Sequence, residues 1–237
     1  MWYKLFMDIN ETAVLPRAEA GVRHFMHMVY GWMSLGLLVT AACAAYMTSD
    51  PRMIVNLVHN PLLYLGLIAA EFGLVIFLSG WVASMEAATA KFAFLFYAAL
   101  TGVTLSVIFL RYTSESIAST FFITAGTFGA MSAYGYLTKA DLTTVGNLCF
   151  MALIGLILAS VANIWLHSAA ISWIATYAGI LIFTGLTAYD TQKIKALYQP
   201  GADDLETKSA ISGALSLYLD FINLFLSILR ATGRRRD

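Results

Sequence analysis

The sequence predicts an all-α membrane protein of seven transmembrane helices. Its 237 residues are 59% hydrophobic and only 12% charged, where soluble domains sit nearer half apolar and a quarter charged. Mean hydropathy is clearly positive. The apolar residues gather into runs of about 20, the length an α-helix needs to cross a bilayer, and the polar breaks between them are too short to build a second core. Residues 1–237 therefore read as one polytopic domain. Fourteen basic and fourteen acidic residues leave a formal net charge of +0, which gives no basic surface for nucleic acid. Cys43 and Cys149 fall inside apolar runs, where a buried thiol is expected and a disulfide is not.

Residues 1–20 form a polar lead, expected to be partly ordered at the membrane surface, with no apolar core and cleavage site of a signal peptide. The first helix is predicted at 22–46, with Arg17, Arg23, His24 and His27 at its start and Asp50-Pro51 breaking the chain after it. The second, 61–83, carries Glu71 near its middle, and the third, 92–110, is uncharged. The fourth, 117–137, bears Ala125, Gly129 and Ala133, a stripe of small residues expected to admit a neighbouring helix closely. The fifth, 144–166, joins the sixth, 171–198, through the tight linker His167-Ser168-Ala169-Ala170, so the two form an antiparallel pair. Pro200-Gly201 ends the sixth, and the seventh runs over 210–230.

Basic residues in short loops set orientation. A cytoplasmic N-terminus puts Lys4, Arg17, Arg23, Lys91, Lys139, Lys193, Lys195 and Lys208 inside and Arg52 and Arg111 outside. The seventh segment disturbs this pattern. A full crossing sends Arg230, Arg234, Arg235 and Arg236 outside, whereas a half-crossing returns them. The segment's ~20 apolar residues favour the crossing.

The last segment carries Ser212, Ser216, Asp220, Asn223 and Ser227 at helical spacing, one polar face on an otherwise apolar helix. Lipid does not tolerate Asp220 or Asn223, so this face points into the bundle, and such a helix fits at its middle. Ser212 and Ser227 read as packing residues. The sixth segment offers Thr184, Thr187 and Asp190 at steps of three. An intramembrane carboxylate is costly and usually marks a functional site with a nearby partner. At 1.5 Å per residue, Asp190 and Asp220 lie ~12 Å and ~15 Å from the expected helix ends, so the two can meet.

Two carboxyls within hydrogen-bond reach do not both ionise easily; they share a proton and titrate as a unit. The shared proton latches the two helices, and its loss leaves anions that repel or bind a cation such as Ca²⁺. Asp190 and Asp220 are thus the expected pH sensor and a possible Ca²⁺ site, with Ser216, Asn223 and Thr187 lining the pathway. Glu71 reads either as a relay carboxylate on that pathway or as a protonated side chain facing the bundle. His24, His27, His59 and His167 fall at span ends without metal-ligand company, Arg111 and Glu115 read as interfacial, and Asn163 as an interhelical hydrogen bonder.

Four stretches, HFMHMVYGWMSLGLLVTA, TAGTFGAMSAYGYLTKADLT, TGLTAYDTQKIKALY and SLYLDFINLFLSILR, resemble the Bax inhibitor (transmembrane Bax-inhibitor-motif) family in its bacterial form. The resemblance runs from about Arg23 to Gly233 and is specific through the combination of Tyr-Asp-Thr-Gln-Lys with Leu-Asp-Phe-Ile-Asn-Leu-Phe. It implies seven helices with the last central and wrapped by the other six. It implies a pH-dependent calcium leak whose sensor aspartates would be Asp190 and Asp220, with Glu71 as an acid near the pore. Some members hold the aspartate pair with an arginine at the cytoplasmic end of the second helix. Here SGWVASMEAATAK has none, so the latch either lacks that cation or takes Lys91 instead.

Three functions compete. The first is the pH-gated Ca²⁺ leak, without enzyme activity or bound cofactor and with Ca²⁺ as the transported ion. The second is a non-transporting stress regulator that binds other membrane proteins, such as a membrane-bound quality-control protease. The third is an intramembrane aspartyl protease, disfavoured because Leu217-Tyr218-Leu219 before Asp220 is bulky where those enzymes carry Gly-x-Gly. A central helix that already fills the bundle points to a monomer, the loop charges to a cytoplasmic N-terminus, and the bacterial form of the resemblance to the lipid of a bacterial inner membrane.

Overall fold

The computed structural model describes residues 2–199 and 203–236, with side chains from Glu19 onward except at 51, 83 and 203. Its helices are α1 (Trp2–Ser49), α2 (Pro51–His59), α3 (Pro61–Trp81), α4 (Ala87–Leu105), α5 (Ile108–Arg111), α6 (Ser114–Leu137), α7 (Thr143–Leu166), α8 (Ala169–Lys195) and α9 (Asp203–Thr232). Among the described residues there is no strand, only one isolated bridge between Tyr112 and Arg235. Six helices are long and apolar enough to cross a membrane: the stretches Glu19–Ser49, Pro61–Trp81, Ala87–Arg111, Thr143–Leu166, Ala169–Lys195 and Asp204–Thr232. The segment α6 matches them in length, but its Ser, Thr and Gly content keeps it out of that group.

Several boundaries differ from expectation. The polar lead runs into the first span without a break, because α1 is helical from Trp2 to Ser49. The break at Asp50 holds a short helix of its own. Asp50 Oδ1 accepts from Arg52 N at 2.9 Å, an N-cap followed by proline at the first helical position. Its apolar side buries Ile54 and Leu57. Helix α3 ends at Trp81 rather than 83, giving way to a short 3₁₀ turn at Val82–Ser84. Helix α4 starts five residues before the expected 92, and α9 seven residues before the expected 210. The Pro200-Gly201 stop lies outside the described residues.

Burial is unequal. In Asp204–Thr232, 72% of the apolar window is buried, against 6% for α3 and for α7. Tyr218 of α9 is fully buried, with Phe94 and Tyr97 of α4 edge-on to its ring at 5.9 Å. Its hydroxyl lies 2.6 Å from Thr40 Oγ1 of α1. Thr40 Oγ1 also lies 2.8 Å from the Ala98 carbonyl. Gly36, one turn back on α1, offers a second carbonyl at 3.0 Å; with Thr40's one proton given to either carbonyl, the Tyr218 hydroxyl donates to Thr40, bringing α1, α4 and α9 together. Helices α1 and α4 cross closely there, since a Cβ on Gly102 would sit 2.5 Å from the Thr40 carbonyl oxygen.

The expected close approach at Ala125, Gly129 and Ala133 is not made. A Cβ on Gly129 would meet nothing within 4 Å, and all three residues border a groove instead. The close face of α6 lies about 100° round the helix: Thr124, Phe128, Ser132 and Gly135 are buried, and the Ala188 carbonyl of α8 stands where a Gly135 Cβ would go.

The last helix does not double back. Lys195, at the end of α8, donates to the Tyr136 carbonyl near the end of α6 at 2.9 Å. The tail after α9 lies at the other end of α6. There Arg234 N donates to Ser116 Oγ at 2.9 Å, Thr113 N to the Arg234 carbonyl at 3.1 Å, and Arg236 N to the Arg111 carbonyl at 3.0 Å. Helix α9 therefore runs the full length of α6.

Candidate functional site

Two glycine contacts set the register of α8 on α9. A Cβ on Gly213 would lie 2.8 Å from Ile194 Cγ2, and one on Gly179 2.7 Å from Ser227 Oγ. Ile194 thus stands beside Gly213, and Gly179 beside Ser227, in an antiparallel pair. Asp190, one turn before Ile194, is level with Leu217, about 4.5 Å of helix rise from Asp220. Side chains lean toward the N-terminus of their own helix. In antiparallel helices that lean brings Asp190 toward the level of Asp220 and Asp220 back toward Asp190. Register and lean, not distance from the helix ends, set the two aspartates at similar levels: counted from the observed ends, the heights are about 7.5 Å and 25.5 Å.

Both aspartates line one cavity of about 720 Å³ bounded by α3, α4, α7, α8 and α9. Glu71, Ser216 and Asn223 line it too. Asp220 is only 5% exposed, and its Oδ2 has no hydrogen-bond partner among the described residues, so the expected hydrogen bond between the two carboxyls is not made through that atom. Lys193, one turn after Asp190, lines the same cavity. Glu71 Oε1 accepts from Thr104 Oγ1 of α4 at 2.6 Å. Asn223 Nδ2 is taken up by the Leu219 carbonyl of its own helix at 2.8 Å.

Thr187 does not line this cavity. It is fully buried, and its hydroxyl donates to the Phe183 carbonyl at 2.7 Å. Thr187 sits three residues from Asp190, but the angle between them on the helix turns it into the protein. Ser227 packs on Gly179 and donates to the Asn223 carbonyl at 2.8 Å, as expected of a packing serine. Lys91 is also elsewhere, its Nζ 5.7 Å above the Trp32 ring. The cation that lines the cavity with the two aspartates is Lys193, with Nζ 5.8 Å from the Tyr189 ring centre. It stands one turn after Asp190, a spacing readable in the sequence. Sequence reasoning also missed Tyr97, Thr101 and Thr104, a helically spaced polar edge of α4 that lines the cavity opposite α9. Asn163 bonds as expected: its Nδ2 donates to Ser172 Oγ at 2.8 Å and its Oδ1 accepts from Ser168 N at 2.8 Å, tying α7 to α8.

Among the described residues no three His, Cys, Asp or Glu side chains gather to hold a metal ion. Calcium takes six to eight oxygens, more than the two aspartates, the Ser216 hydroxyl and the Asn223 amide oxygen of this cavity offer as one ligand set. Outside the spans, Asp141 Oδ1 accepts from Thr143 Oγ1 at 2.6 Å and Thr143 N at 2.9 Å, which holds its carboxyl below the usual aspartate range.

A family model described as inhibitor of apoptosis-promoting Bax1 matches residues 22–237. The chain belongs to the Bax inhibitor family. It is 51% identical over 231 residues to the inner membrane protein YbhL of Escherichia coli K12, covering 96% of this chain and 97% of that one. A protein of Borreliella burgdorferi is 46% identical over 216 residues (90% and 93%), and one of Rickettsia prowazekii 44% identical over 230 (97% of each). With six apolar helices of membrane-spanning length, this Bax inhibitor family member is an integral membrane protein.

Proposed function

We propose that this Bax inhibitor family protein is a pH-sensitive Ca²⁺ leak pathway gated by Asp190 and Asp220. The observation that carries the reading is the convergence of both aspartates and Glu71 on one cavity, along the most buried helix of the chain. In this reading α6 is the seventh span, and α9 is the central helix around which the others wrap. The membrane is a bacterial inner membrane, as the name of the Escherichia coli relative suggests. The N-terminus is cytoplasmic. This puts Arg23, Lys91, Lys139, Lys193, Lys195 and Lys208 on the inner side and the Arg111 and Arg234–Arg236 cluster on the outer side.

A proton shared by the pair ties α8 to α9 and removes the negative charge from the passage. Loss of that proton leaves two anions facing the cavity. Lys193 offers Asp190 an internal counter-charge, and a Ca²⁺ ion competes for the same oxygens. Ser216 and Asn223, at one-turn spacing on either side of Asp220, supply neutral oxygens as the ion moves along α9. Glu71, held by Thr104, is the acid on the α3 wall that attracts cations to the cavity.

The test is Ca²⁺ entry into dye-loaded liposomes bearing the full chain, over a range of pH. The reading expects flux above protein-free vesicles that changes with pH. Flux no greater than in empty vesicles at every pH would remove it.

A further inference from the structure

A second cavity, of about 660 Å³, lies between α1 and α6 on the side of α9 away from the acids. Its α1 wall runs from Arg23 to Leu37, about 21 Å of helix rise, more than one leaflet's depth of hydrocarbon. One end is polar. Arg23 and His27 are both exposed there, and no acid among the described residues forms an ion pair with Arg23. The rest is mainly apolar, interrupted by the Ser34 and Ser132 hydroxyls and the Tyr30 and Tyr136 rings, and its wall at Ala125, Gly129 and Ala133 is lined by small side chains. The floor is Phe221, whose ring meets Phe121 at 5.6 Å and Phe128 at 5.5 Å.

A slot with a cation at one end and a long apolar channel below it matches a phospholipid in polarity: anionic headgroup at Arg23, acyl chain along the small-residue wall. We propose that this groove is a binding site for an anionic phospholipid of the leaflet on the Arg23 side. Charge complementarity commits the headgroup. A zwitterionic lipid offers the exposed guanidinium no net counter-charge, and a helix of a second copy would need an acid at that level. The lipid reaches α9 through Phe221, the residue next to Asp220, so occupancy braces α9 from behind the acidic cavity. Lipid binding itself is independent of the ion-leak reading and has its own readout.

The experiment is native mass spectrometry of the full chain, reconstituted with phosphatidylglycerol and phosphatidylcholine in equal amounts and released into mild detergent. Wild type should retain phosphatidylglycerol preferentially. Arg23→Gln, at an exposed position that does not threaten folding, should reduce that preference about fivefold, the effect of one basic residue beside an anionic headgroup. Gly129→Leu, which fills the channel, should lower retention of both lipids, while Leu158→Ala on the exposed face of α7 should change neither. Equal retention of both lipids by wild type would overturn the proposal. So would an unchanged preference in Arg23→Gln, unchanged retention in Gly129→Leu, or a dimer of this chain in place of bound lipid.

Discussion

Asp220 and Phe221 are chain neighbours that face different cavities: Asp220 lines the acidic one beneath α3 and α7, and Phe221 floors the apolar groove between α1 and α6. An α-helix turns about 100° per residue, so a helix enclosed by others can present adjacent side chains to separate spaces. Any change that shifts α9 at this level is felt in both.

The close contacts of α6 give a paired stability test. Gly135→Ala drives a Cβ into the Ala188 carbonyl of α8, a backbone atom that cannot step aside. It should cost about 1–3 kcal/mol. Gly129→Ala points into open space and should stay within about 0.5 kcal/mol of wild type. Thermal unfolding in detergent reads both, and equal melting shifts would contradict the assigned packing face.

Glu71 serves a different step from the aspartate pair. Glu71→Gln should lower Ca²⁺ flux by about tenfold, equivalent to ~1.4 kcal/mol on the barrier, while leaving its pH profile in place. Thr104→Val, which removes the 2.6 Å donor to Glu71, should lower flux by less. Liposome flux at several pH values separates the two effects, and a flattened profile in Glu71→Gln would make Glu71 part of the sensor.

The tail and the α6–α7 loop should label from opposite sides. Arg235→Cys lies beside the Arg111–Ser116 end of α6, and Lys139→Cys at its other end. With the native cysteines replaced, a membrane-impermeant maleimide added to intact spheroplasts should reach Arg235→Cys and not Lys139→Cys. The reverse pattern would invert the proposed orientation, and labelling of both from one side would refute the full passage of α9 along α6.

Asp141, just ahead of α7, accepts from Thr143, first from the side-chain hydroxyl and then from the backbone N–H. Its folded-state carboxyl therefore titrates below the unfolded one. These hydrogen bonds contribute fully above the usual aspartate range and are lost as pH falls through the lowered folded value. Thr143→Val should move the Asp141 midpoint up, measured by carboxyl-carbon NMR. No movement would assign the shift to some other cause.

Much of this site was readable as polar residues at helical spacing in apolar helices. Ser216, Asp220 and Asn223 show it on α9, and Glu71 stands out as a lone acid. That Asp190 and Asp220 lie at similar levels was also legible, though for the wrong reason. Expected helix ends gave similar depths that the observed ends do not, while the register rests on Gly179 against Ser227 and Ile194 against Gly213. Thr187 misled because a three-residue step on a helix turns roughly 60° short of a full circle, enough to move a side chain from cavity to core. Ala125, Gly129 and Ala133 misled because small residues permit close approach without requiring it; which stripe is used depends on the partner, here Ala188. Lys193 was visible one turn from Asp190 and was passed over for Lys91, which spends its charge on Trp32. The groove was not legible at all, since a gap between α1 and α6 is a property of how far apart two helices settle.

The most direct measurement of the central claim is the pH profile of Ca²⁺ flux in liposomes for wild type, Asp190→Asn, Asp220→Asn and the double variant. Asparagine keeps the shape and removes the titration. The account predicts that wild-type flux changes with pH and that each single variant flattens the change, with the double variant no flatter than either, because the pair titrates as a unit. A double variant that leaks like wild type at every pH would contradict it, and the two aspartates would then be structural.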